Sequence, residues 1–162
     1  MALKSDRISL DSQIDFFMNE TAERGKIAVV STTGSGAAMD QAAQLATCTY
    51  TSISGAKPLG VLMCDMIDID LTRQHENWHK EEVVKGGKVT IWPKCTVVTN
   101  QIYPGHTPTA GATAYLAPSG FIGTSLLQND SDAMTGQIKH TIGRFLSTKD
   151  EDGYAKVSVN LP

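Results

Sequence analysis

Alternation is the clearest signal in the chain. At the C-terminus Ala155, Val157, Val159 and Leu161 are apolar while Lys156, Ser158 and Asn160 are polar, the period of a half-buried antiparallel strand. Ile142-Gly143-Arg144-Phe145-Leu146 precedes it, and the linking residues 147–153 close on Asp152-Gly153, a pair suited to the positive φ of a hairpin loop. A hairpin is predicted here. Near the N-terminus Ile8, Leu10, Ile14, Phe16 and Met18 also fall on alternate positions, with Ser12 the one gap and Ser9, Asp11, Gln13 and Asp15 on the other face. This predicts an extended strand. Ile14, Phe17 and Met18 match helical spacing as well, so a short amphipathic helix over residues 11–23 stands as the alternative. A polar segment up to Gly25 then separates this stretch from the β-branched run Ile27-Ala28-Val29-Val30. The pattern therefore divides the chain into an N-terminal arm, residues 1–24, and a body, residues 25–162.

Within the body, short apolar runs alternate with turn formers. Residues 58–64 are bounded by turn residues, Lys88-Val89-Thr90-Ile91-Trp92 stops at Pro93, and Thr96-Val97-Val98-Thr99 forms the next run. Residues 112–116, before Pro118, and residues 140–147 follow. Two stretches, 37–47 and 71–84, are ambiguous between helix and strand. Many short strands without a sustained helical period predict an all-β barrel or sandwich with an extended N-terminal arm.

Composition narrows the picture. The chain has 162 residues, the size of one domain, and hides roughly 70% of its unfolded surface without staples. Charged residues make up 19% and hydrophobic residues 41%, which places it among globular chains and away from disorder or a membrane span. Lys and Arg number 14 against 17 Asp and Glu, a net charge of -3. No dense basic run offers the footprint of a nucleic-acid binder. Cys48, Cys64 and Cys95 form no CxxC pair, and the first ten residues lack the apolar core of a signal peptide; both point to synthesis in a reducing cytoplasm.

Several motifs suggest chemistry. His75-Glu76-Asn77-Trp78-His79 satisfies the HExxH pattern, in which two imidazoles one helical turn apart hold zinc while Glu76 activates water. An extended metzincin pattern would place Gly at 82 and His at 85, where the chain has Glu82 and Lys85. The flanking residues are polar, so a solvated loop is the competing reading, and His75 and His79 remain weak metal candidates. Thr33-Gly34-Ser35-Gly36-Ala37-Ala38-Met39 fails the dinucleotide fingerprint at Met39. Asp65, Asp68 and Asp70 lack EF-hand spacing. Neither the cysteines, Ser119, His106 nor His140 sits in a recognisable catalytic signature. No catalytic residue and no cofactor is assigned. The sequons at Asn19 and Asn129 would matter only in a secreted protein.

The C-terminal residues Ile142 to Ser147, Asp150 to Tyr154 and Lys156 to Leu161 resemble the end of tailed-bacteriophage head decoration proteins, also called capsid cement proteins. Gly25, Pro58-Leu59-Gly60-Val61-Leu62 followed by Asp65, residues 73–87 before Val89, and residues 111–116 follow in the same order, so the resemblance spans roughly residues 25–162. It implies a non-enzymatic virion protein with a β-tulip or barrel-like body and an N-terminal extension. Such a protein sits on the capsid exterior as a homotrimer and bridges major capsid protein subunits, with no nucleic acid and no membrane as partner. On physical grounds an arm carrying Ile8, Leu10, Ile14, Phe16, Phe17 and Met18 would offer apolar area and backbone hydrogen bonds to a neighbour by strand addition. The competing functions are a zinc-dependent hydrolase using the HExxH residues, and a tail or vertex adaptor or host-binding β module.

Overall fold

The computed structural model describes residues 10–31, 45–49, 56–63, 82–83, 85–86, 88–124 and 140–162. These fold as all-β: eleven strands and one 3₁₀ turn at Pro118–Gly120, with no α-helix among the described residues. Nine strands form one mixed sheet in the order β1-β4-β3-β5-β7-β11-β10-β8-β9, and β1 pairs with β7 as well. The strands are β1 Leu10–Met18, β3 Ile27–Val30, β4 Leu45–Thr47, β5 Pro58–Leu62, β7 Lys88–Thr99, β8 Thr113–Leu116, β9 Ile122–Gly123, β10 Thr141–Phe145 and β11 Ala155–Asn160. A separate two-stranded ribbon joins β2 (Ala22–Glu23) to β6 (Glu82–Val83).

The extra β1–β7 pairing closes a ring of five strands, β1-β4-β3-β5-β7. Every strand of the ring contributes to one buried cluster: Met18, Ala46, Ala28, Leu62, and Val89 with Ile91. This cluster fills the ring interior. The ribbon adds Ala22 and Val83 to it. β3 sends its alternate residues Ile27 and Val29, and β5 sends Val61, with Met63 just after it, to a second cluster. Both faces of these strands are thus buried, which explains why residues 27–30 read as an uninterrupted apolar run.

The second cluster lies under β7, β8, β9, β10 and β11 and includes Val97, Leu116, Ile122, Phe145 and Val157. This half of the sheet also closes on itself. The chain leaving β7 runs beside β9, with an Ile102–Ile122 bridge, Tyr103 N–H donating to Ile122 O at 3.0 Å and Ile122 N–H donating to Gln101 O at 3.0 Å. β7 is shared by both circuits. Burying each large apolar side chain here is worth about 1.5–3 kcal/mol, so the shared strand couples two cores.

β7 corrects one sequence expectation. Its two predicted pieces are a single strand of twelve residues that passes through Pro93. A mid-sheet proline lacks a donor and normally ends a central strand. Here the partner changes at that point: β5 pairs with Ile91 and Trp92, whereas β11 pairs with residues 94–99. The two register shifts in β1, flanking Ser12, face the same region. The proline thus stands where the ladder is already interrupted, and its carbonyl still accepts from Leu161 N–H at 3.0 Å.

The C-terminal hairpin is as expected. Gly143, Arg144 and Phe145 pair with Val159, Ser158 and Val157, and β11 alternates buried and half-buried positions. Gly153 has φ 84°. Asp150 organises the loop, its Oδ1 accepting from Asp152 N–H at 3.1 Å and Tyr154 N–H at 2.7 Å.

Candidate functional site

The N-terminal stretch is a strand, and its described part belongs to the body's own sheet. Leu10 pairs with Cys95 and Phe17 with Lys88. Of the six residues singled out for partner binding, Ile8 lies outside the described residues, and Leu10 and Ile14 sit within β1. Phe16 packs on the ring's cluster, Phe17 is half-buried, and Met18 is 1% exposed. Met18 is therefore occupied within its own chain. The second edge of β1 meets β4 only at Phe17 and Met18; from Leu10 to Phe16 no strand among the described residues pairs with it. Strand addition would need an edge of this kind.

His75 and His79 lie outside the described residues, as do Asp65, Asp68, Asp70 and the glycine-rich segment 33–39. Among the described residues no group of three or more metal-ligating side chains is present.

The chemistry-bearing side chains in the described part hold the fold. Glu20 follows β1 and reaches over the end of β4, where its Oε1 accepts from Cys48 N–H at 2.5 Å and Thr49 N–H at 2.6 Å. Burial pushes its carboxyl up, but the donors of Thr49, Thr47 and Cys48 together outweigh this and hold it below its ordinary 4.5. Burial, with the Glu20 charge second, pushes the Cys48 thiol up to about 12 despite nearby Lys26. Burial alone pushes the Cys95 thiol up to about 12. Neither is a ready nucleophile.

His106 serves a similar anchoring role. Its Nδ1 accepts from Thr124 N–H at 3.0 Å, which fixes the proton of the neutral ring on Nε2. Tyr103 meets the imidazole edge-on, with centroids 5.2 Å apart, and meets Phe121 at 6.2 Å. Lys26 Nζ stands 5.3 Å from the centre of the Phe121 ring. The loop after β7, β9 and the start of β3 are joined through these contacts. His140 directly precedes β10, and its Nε2 is buried without a partner among the described residues.

Sequence reasoning placed His106 in a loop but missed its acceptor role, and it passed over Glu20. Both depend on backbone N–H groups 18 and 28 residues away, a separation that local pattern does not encode. The position of Glu20, close after a predicted strand, was the one available signal. No protein-family model matches the chain, and no curated protein matches it either.

Proposed function

We propose that the chain is a structural virion protein that binds the outside of an assembled phage head, bridges neighbouring major capsid protein subunits and acts as a homotrimer. The observation that carries this reading is the C-terminal segment. The residues that resemble the end of head decoration proteins form the β10–β11 hairpin, joined directly to the shared strand β7 of an all-β body. The structural engagement of Glu20, Cys48, Cys95 and His106 supports a binding role over catalysis. The mechanism is mass action: a ligand that binds the assembled lattice and not its separated subunits shifts the equilibrium toward the lattice. Repetition over the shell multiplies modest contacts through avidity.

The test is to add purified protein to heads of the parent virus assembled without it. Saturable binding and greater resistance to heat or chelator are expected; absence of binding refutes the reading. The copy number in purified particles separates the competing assignment, because a few copies per particle would place the chain at a vertex or tail instead. Truncation is informative only ahead of Leu10, since removing Met18 would open the ring's core.

A further inference from the structure

The part of the sheet formed by β7 beyond Pro93, β11, β10 and β8, which β1 borders where Ser12 stands opposite Lys94, has one face turned inward onto Phe145, Val157 and Val159 and one turned outward. Cross-strand register fixes which residues share the outward face. Lys94 stands opposite Asn160, Thr96 opposite Ser158, and Val98 opposite Lys156. Arg144 lies between Ser158 on one side and Thr113 on the other. Leu146 N–H donates to Lys156 O at 2.8 Å, which adds Leu146 to the same row; it is the one exposed large apolar side chain among the described residues, at 42%.

Three of these outward positions are cationic, and none of the described outward positions on β7 beyond Pro93, β11, β10 or β8 is a carboxylate. In a chain with 17 acidic and 14 basic residues, that is a segregation of charge. Two copies laid face to face would bring like charges together, which weighs against that pairing. The face therefore disfavours a symmetric self-pair and favours an anionic surface. Hydroxyls and the Leu146–Val98 row surround the cations, and Tyr115 is the only aromatic among the outward positions of these strands; stacked bases would find little platform here. Protein carboxylates beside a small apolar contact match it better.

We propose that this outward face, centred on Lys94 and Arg144, is the docking surface of the chain and that it receives a carboxylate-rich patch on the exterior of the head. The inference rests on the head-binding reading above. Its charge pairs lie toward solvent, so they set orientation, association rate and salt dependence more than total affinity.

The test compares wild type, the Lys94→Glu/Arg144→Glu double variant and the control Lys57→Glu, an exposed residue ahead of β5, by co-sedimentation with heads assembled without the chain. Wild type and control are expected to bind alike and to weaken as salt rises, while the double variant binds about tenfold more weakly or worse. Thermal melting checks that each variant is folded; should the double variant fail to fold, Lys94→Gln/Arg144→Gln takes its place with the same expectation. Full affinity of a folded double variant overturns the docking face and leaves the head-binding reading standing. If wild type does not bind heads, both fall. Salt-dependent self-association, or binding to a single-stranded oligonucleotide, that the double variant abolishes would assign the face to a second copy or to nucleic acid and would equally overturn the proposal.

Discussion

Gly143→Ala tests the sheet architecture at its tightest point. A methyl placed on Gly143 would lie 1.9 Å from Ser158 O, 2.9 Å from Ser158 C and 3.0 Å from Val159 Cα. Reaching ordinary contact requires a displacement of about 1.5 Å, between strands that are already closely packed. Gly143 is paired on both sides, with Val159 of β11 and Ala114 of β8, so moving away from one ladder strains the other. Overpacking of a well-packed site costs about 1–3 kcal/mol, and loss of one or two ladder hydrogen bonds adds about 1 kcal/mol each. The expected destabilisation is about 2–5 kcal/mol, a large part of the roughly 5–15 kcal/mol that holds a domain. For a chain of this length that lowers Tm by about 4–20 °C. Gly153→Ala is the control: Gly153 has φ 84° with nothing within 4 Å, so its cost is that of the backbone conformation, about 1–2 kcal/mol. Both are read by urea unfolding and thermal melting. If Gly143→Ala costs no more than Gly153→Ala, the close approach of β10 to β11 is wrong.

Glu20→Gln should lower stability at neutral pH by about 1 kcal/mol, after allowance for solvent screening of a partly exposed group. Because the folded state depresses the Glu20 carboxyl, its contribution is complete above the unfolded value and is lost as pH falls through the folded one; urea midpoints of variant and wild type should converge in acid, and a constant gap would refute the anchor. Native Cys48 and Cys95, with thiols pushed up to about 12, should react with a thiol reagent at pH 8 about a thousandfold more slowly than an ordinary thiol near 9, as read by peptide mass mapping; equal labelling of native and unfolded protein would contradict their burial. The nitrogen NMR shifts of His106 should show an unprotonated Nδ1 at neutral pH, and a proton on Nδ1 would exclude acceptance from Thr124 N–H.

Period-two patterning carried the sequence reading where one strand face meets water. Residues 155–161 are the example: buried and half-buried positions alternate as written, and the Asp-Gly loop closes the hairpin. For residues 10–18 the strand prevailed over the helix because β7 supplies a ladder across nearly its full length. The division into arm and body rested on the polar break before Gly25, and such a break says nothing about pairing with residues more than seventy positions away. Pro93 misled for a related reason. Proline reports a missing donor, while the exchange of β5 for β11 beside it belongs to tertiary structure alone. Of the stretches left ambiguous, Leu45–Thr47 and Glu82–Val83 are strands, each too short to show a period. The anchoring residues were hidden because a lone Glu or His looks alike in sequence whether it meets water or a distant backbone N–H.

The position of β7 between two circuits also bears on how the chain is made. Its partners arrive at different stages of synthesis: β1 precedes it by about seventy residues, and β11, residues 155–160, follows it by more than fifty. Until then the second half of β7 carries one bare edge, and non-local pairings of this kind close slowly. A nascent chain stopped ahead of β11 would expose that edge to its neighbours, so β11 acts as the seal over the stretch of β7 where edge-to-edge association would start.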